Sequence, residues 1–158
     1  MIRIGHGFDA HAFSAERRLV LGGVVIPHSK GLRGHSDADV LIHAICDACL
    51  GAAGLGDIGR HFPAEVAKYK DIDSRVLLRD VKGLVGTRGW TVVNVDGTIV
   101  AQAPRLADYL PVMQANIAAD FGVDQGCVNI KATTTDGLGY SGREEGIAAH
   151  AVVLIESS

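Results

Sequence analysis

Aromatic residues make up only 5% of this 158-residue chain, and no stretch of Lys or Arg forms a basic face with aromatics between the charges. That absence, with a net charge of -3, excludes a nucleic-acid-binding surface. No apolar run approaches the roughly 18 residues a membrane helix needs. The opening residues Met1-Ile2-Arg3-Ile4-Gly5 enter a strand-like pattern at once, without the charged, apolar and cleavage regions of a secretory signal. Three cysteines cannot build a disulfide framework, and a reducing compartment is the simpler reading. Internal repeats, low-complexity tracts and linkers are also missing, so the sequence predicts one soluble, intracellular domain over residues 1–158.

What the chain has in abundance is glycine, with 20 residues, and a 47% hydrophobic content sufficient for a core. Segment 2–13 alternates as a strand, and Leu19 to Ile26 reads as a second strand interrupted by Gly22-Gly23. Apolar residues at helical spacing from Asp39 to Ala53 predict a helix, with Ser36-x-x-Asp39 as its capping box. Residues 54–67 read as a long functional loop. A second helix is predicted from Asp73 to Thr87 and a strand from Trp90 to Ala101, with a bulge at Gly97. A third helix runs from about Leu106 or Asp108 to Phe121-Gly122, with Pro111 in its first turn. Strands at Val128–Thr134 and Ile147–Ile155 flank a glycine-rich loop at 136–142. The mixture predicts an α/β or α+β sandwich of a mixed sheet packed against helices.

Residues two apart on a strand share a face, so Asp9 and His11 can address one ion. His43 lies one turn beyond Asp39 on the first helix and can complete a set of two imidazoles and a carboxylate, the donor set of a catalytic zinc site with a position left open. A strand histidine that satisfies only its own hydrogen bonds fits the same spacing. Cys46-x-x-Cys49 with His43 offers a rival ligand set, but such pairs sit on turns in structural zinc sites, and here they read as buried helix residues.

The strings Gly5-His6-Gly7-Phe8-Asp9-x-His11, Gly34-His35-Ser36-Asp37-x-Asp39, Gly56-Asp57-Ile58-Gly59, Asp73-Ser74-Arg75, Ala101-Gln102-Ala103-Pro104, Lys131-Ala132-Thr133-Thr134-Thr135 and Gly142-Arg143-x-Glu145-Gly146 occur in order along nearly the whole chain. Together they resemble the cyclodiphosphate synthase family of the methylerythritol phosphate route to isoprenoids. The resemblance implies zinc at Asp9, His11 and His43. It also implies closure of a cyclic diphosphate, in which the 2-phosphate of a cytidine diphosphate substrate attacks the neighbouring phosphorus and expels CMP. His35 and Thr134 are the implied catalytic residues, with Ser36 beside His35 on phosphate and Asp9 and His11 also near substrate.

The resemblance further places Asp57, Ile58, Gly59 and Phe62 near the methylerythritol. Ala101, Gln102, Ala103, Pro104, Arg105 and Leu106 fall around the cytosine. Thr133, Thr135, Tyr140 and Arg143 complete the substrate contacts, and Asp136 stands where a second cation, magnesium, is held. Two departures stand out: Ala64-Glu65-Val66 replaces an acidic loop, and Arg105 occupies a usual Lys position. The implied assembly is a homotrimer with sites between subunits and, near Arg143 and Glu145, an axial cavity for an isoprenoid diphosphate. A structural ion pair is the alternative for those two residues. The implied location is bacterial cytoplasm, or plastid stroma after loss of a transit peptide. The same donor set would serve a zinc phosphoesterase, for which no motif places a general base, and the altered loop would suit a non-catalytic binder of isoprenoid diphosphates.

Overall fold

A computed structural model describes residues 1–157. Strand β1 (Ile2–Ser14) is followed by β2 (Leu19–Leu21), β3 (Val24–Ile26) and β4 (Gly31–Leu32), then helix α1 (Val40–Ala53). Next come the one-turn helix α2 (Ile58–His61), α3 (Ser74–Thr87), β5 (Thr91–Val100), α4 (Leu110–Phe121), β6 (Val128–Thr133), the one-turn α5 (Gly139–Gly142) and β7 (Gly146–Glu156). Five strands form a mixed sheet in the order β4-β1-β7-β5-β6, antiparallel except for the β5–β6 pair. This is the mixed-sheet, helix-covered architecture that the sequence predicts.

All three long helices lie on one face of this sheet, with α1 across β1 and β7, α3 against α1, and α4 over β6. The sequence dictates how closely α1 can approach. A Cβ on Gly5 would sit 1.9 Å from the Ala48 carbonyl, and one on Gly7 1.8 Å from that of Ala44, so only glycine lets the helix backbone rest directly on β1. Leu41, Ile45 and Leu50 of α1 are fully buried against Ile99, Ile147 and Val153 of the sheet. Each such side chain contributes roughly 1.5–3 kcal/mol of transfer free energy. Between α3 and α4, the buried Asp120 carboxylate accepts from Arg75 Nε at 2.7 Å and Arg79 at 2.9 Å, which fixes the N-terminal half of α3.

Several local expectations need correction. Leu19–Ile26 is not one interrupted strand but a separate hairpin, because Gly22 and Gly23 both take positive φ (56° and 72°) and turn the chain in two residues. Gly97 holds regular register, and the irregularity lies between Val92 and Asn94; Gly97 leaves room for Leu41 and Ile130, whose methyls would meet an added Cβ at about 3 Å. The 54–67 and 136–142 loops each contain a single helical turn. Asp39, not Ser36, caps α1, its carboxylate accepting from Ile42 N–H at 3.1 Å and from the N–H groups of Gly22 and Gly23. Full burial, with Asp37 nearby, pushes the Asp39 carboxyl up to about 6.

The opposite face of the sheet carries Ile2, Ile4 and Phe8 of β1 and Val152 of β7, all exposed, with a polar end at Asp96, Asn129 and Lys131. Among the described residues, no helix is long and apolar enough to cross a membrane.

Candidate metal centre

Asp9 and His11 point from β1 toward the helices, and the contact at Gly5 and Gly7 draws α1 in far enough for His43 to join them. Asp9 Oδ2 stands 2.9 Å from His11 Nε2 and 3.0 Å from His43 Nδ1, and the two ring nitrogens are 3.2 Å apart. Zinc bonded at 2.0–2.1 Å in tetrahedral geometry holds its donors about 3.3 Å apart, so the three atoms form a triangle only a few tenths of an ångström tight.

Hydrogen bonds on the far sides of both rings prepare the donors. His11 Nδ1 lies 2.8 Å from the Arg33 carbonyl, which can only accept, so the ring proton sits on Nδ1 and Nε2 offers a lone pair. His43 Nε2 lies 2.9 Å from Ser74 Oγ. Two neutral imidazoles directing lone pairs at a carboxylate repel it unless a cation or a shared proton stands between them. The residues therefore fit a divalent ion.

In the metal-free chain protons fill that role. Burial would raise the Asp9 carboxyl, but hydrogen bonds and charge from His11 and His43 outweigh it and hold it at about 2. Burial likewise lowers His11, yet the bond and charge of Asp9 prevail and raise it. Cys46 and Cys49 stay out of the cluster, buried in the core, where loss of solvation pushes the Cys49 thiol up to about 12 and Cys46 well above the usual range. Both behave as the small hydrophobes the sequence suggests.

The triad opens into a cavity of about 260 Å³ lined by His11, His35, Ser36, His43, Ile58 and Phe62, with Ala64, Tyr69, Ile72 and Leu77. Ser36 is buried, its Oγ 3.1 Å from His43 Nε2 and accepting the Ala38 N–H at 3.1 Å. His35 is half-buried, and Arg17, for which the sequence offers no signal, donates to the carbonyls of Gly34 and Ser36 and so pins this loop. Asp57 and Gly59 do not line the cavity: both are exposed, and Asp57 caps α2 by accepting from Arg60 N–H at 2.9 Å. In the altered loop Ala64 forms part of the wall, while Glu65 is exposed outside it.

The remaining predicted residues gather elsewhere. Ala101, Gln102, Pro104, Arg105 and Leu106, with Thr133 and Thr134, line a second cavity of about 320 Å³ where β5 and β6 end. Ala103, joined to Pro104 by a cis bond, is half-buried beside it. Gln102 Oε1 accepts the Gly137 N–H at 3.1 Å and ties the following loop to this rim, where exposed Asp136 stands with Oδ1 3.4 Å from Thr134 Oγ1. Thr135 and Tyr140 line a third cavity with Leu138 and His150. Arg143 makes an exposed ion pair with Glu145 at 2.8 Å.

Within one chain the triad and Thr134 do not meet. Asp9, Ala149, Ile99 and Ala132 lie in one row across the sheet, and three strand spacings separate its ends by about 14 Å. Sequence reasoning missed Ser74 and Asp37 as neighbours of the metal site: Asp73-Ser74-Arg75 reads only as a helix start, which it also is.

The family model described as the YgbB family matches residues 2–156. The 2-C-methyl-D-erythritol 2,4-cyclodiphosphate synthase of Thioalkalivibrio sulfidiphilus is 64% identical over 156 residues, covering 99% of this chain and 98% of its own length. The bifunctional IspDF from Campylobacter jejuni matches all of this chain at a TM-score of 0.96 and 44% identity, and this chain spans 43% of that longer protein. IspF of Plasmodium falciparum, solved as a CDP complex, matches at a TM-score of 0.87 and 32% identity, over 99% of this chain and 97% of its own. The chain belongs to the YgbB family, whose members are 2-C-methyl-D-erythritol 2,4-cyclodiphosphate synthases.

Proposed function

We propose that this protein converts 4-diphosphocytidyl-2-C-methyl-D-erythritol 2-phosphate to 2-C-methyl-D-erythritol 2,4-cyclodiphosphate and CMP, a lyase step of non-mevalonate isoprenoid biosynthesis carried out in the cytoplasm. An oxygen of the 2-phosphate forms a bond to the diphosphate phosphorus nearer the methylerythritol. The bond from that phosphorus to the CMP phosphate breaks, and CMP leaves with the electron pair. The nucleophile is already an anion, so the protein's work is to bring like charges together and stabilise the phosphorus under attack.

Asp9, His11 and His43 hold zinc, which when bound supplies a Lewis acid and a template for phosphate oxygens. His35 and Ser36, on the wall of the same cavity, donate hydrogen bonds to phosphate, and Ile58 and Phe62 enclose the methylerythritol and exclude water. Thr134 directs its hydroxyl at the diphosphate, with Thr133 and Thr135 flanking it and Tyr140 and Arg143 at its outer edge. Asp136 holds the second ion, magnesium, which screens diphosphate charge when bound. Backbone groups of the 101–106 segment read the cytosine edge, and Arg105 adds positive charge beside it.

The active unit is a homotrimer whose site lies between two subunits, one giving the triad and the next the cytidine cavity. Two features support this reading: the roughly 14 Å between the half-sites within a chain, and the open sheet face with Ile4, Phe8 and Val152 exposed. That face would enclose the threefold axis, with room near Arg143 for an isoprenoid diphosphate.

The observation that carries the proposal is the convergence of Asp9, His11 and His43 donor atoms within 3.2 Å in a chain of this family. Phosphorus NMR of the product tests it. A cyclic diphosphate with equimolar CMP is expected; a linear phosphate would show a hydrolase, and no turnover would leave only a binding role.

A further inference from the structure

His43 can serve a metal ion through Nδ1 only while its one neutral-ring proton stays on Nε2, and two hydroxyls compete to decide that. Ser36 Oγ lies 3.1 Å from Nε2 and Ser74 Oγ 2.9 Å. The Ser36 hydroxyl accepts from Ala38 N–H, and its own proton makes no other hydrogen bond among the described residues, so it is free to donate to Nε2. If it did, the ring proton would move to Nδ1, into the space shared by Asp9 and His11. Ser74 is different. It is fully buried at the first position of α3, and its only hydroxyl proton is committed to Asp37 Oδ1.

Asp37 also accepts the Ser74 backbone N–H through Oδ2 at 3.0 Å and the Asp39 N–H through Oδ1 at 3.1 Å, so the carboxylate is clamped between the two helix starts. With its proton spent, Ser74 Oγ can only accept from His43, and a deprotonated Nε2 at 2.9 Å would face it lone pair to lone pair. We infer that Ser74, oriented by Asp37, is a positioning residue that keeps the His43 proton on Nε2 and leaves the Nδ1 lone pair free for the metal. The inference rests on the zinc assignment above and adds two residues which that assignment does not contain. A helix-capping clip alone would explain the Asp37 bond to the Ser74 N–H, but not the hydroxyl placed between carboxylate and imidazole.

The test is the zinc dissociation constant of wild type, Ser74→Ala and Ser74→Thr, measured by competition with a chromophoric chelator, beside the melting temperature of each metal-free protein. Loss of a group that orients a metal-bound histidine typically costs 10–100-fold in affinity, so Ser74→Ala should bind zinc about 10–100-fold more weakly at a nearly unchanged melting temperature. Ser74→Thr, which keeps the hydroxyl, should restore most of the affinity. Unchanged affinity in Ser74→Ala overturns the inference. So does equal loss in both variants at an unchanged melting temperature, because volume rather than the hydroxyl would then set the affinity. Should the threonine methyl not be accommodated, Ser74→Ala decides alone. A wild type that binds no zinc would instead refute the metal assignment itself.

Discussion

The metal triad stands on β1 and α1, where regular backbone fixes each donor and a hydrogen bond orients each ring, whereas the cavity at the ends of β5 and β6 is walled largely by the irregular segment 101–106 and the exposed threonines after it. The first region is charged, half-buried and locked from behind; the second is shaped mostly by small residues and backbone. Rigid elements suit the triad because donors displaced by half an ångström cease to define one ion's position. A base edge, by contrast, is read by backbone groups that loops present well. In the proposed trimer the two meet across neighbouring subunits.

The largest effect should come from pairing their defects. Asp9→Ala should lower activity about 10³-fold, since several kcal/mol of Lewis-acid stabilisation are lost, and Thr134→Ala should lower it about 10²-fold with zinc retained. Mixed and allowed to exchange subunits, the two variants should recover about a quarter of wild-type activity, the share of interfaces that receive two intact halves in a closed ring. No recovery under proven exchange would place both half-sites in one chain and break the comparison.

Next in size is the packing that holds the triad together. Gly7→Ala drives a Cβ to 1.8 Å from the Ala44 carbonyl and should cost about 3 kcal/mol, near 10 °C in melting temperature, with zinc affinity falling as α1 lifts from β1. Gly51→Ala, on the same helix with nothing within 4 Å of the added Cβ, should instead stabilise by about 0.5–1 kcal/mol. Equal melting temperatures for the pair would contradict the close-approach argument. The smallest effect belongs to Glu65→Ala: this side chain is exposed outside the metal cavity, so kcat/KM should change by no more than about twofold. A larger loss would mean that Glu65 does the work of the carboxylates missing from its loop.

Asp9, His11 and His43 were legible because period two on a strand and the helical turn after Asp39 fix which side chains share a face, whatever the rest of the fold does. The helices α1, α3 and α4 were legible through their apolar spacing and, for α4, through the terminal Gly122. The errors fall where a distant partner decides. Asp39 displaced Ser36 as the cap because Gly22 and Gly23, 17 and 16 residues away, also donate to its carboxylate. Gly97 looked like a bulge, but its lack of a side chain accommodates Leu41 and Ile130, which no local pattern reveals. The Ser74–Asp37 link spans 37 residues and leaves no trace in periodicity.

The most direct test of the account is metal analysis of the purified wild type and His43→Ala, coupled to phosphorus NMR of the product formed from the cytidine substrate. The account predicts one zinc per chain and a cyclic diphosphate with CMP for wild type, and a folded, zinc-free, inactive His43→Ala. Stoichiometric zinc retained without His43, or a cyclic product from metal-free wild type, would contradict it.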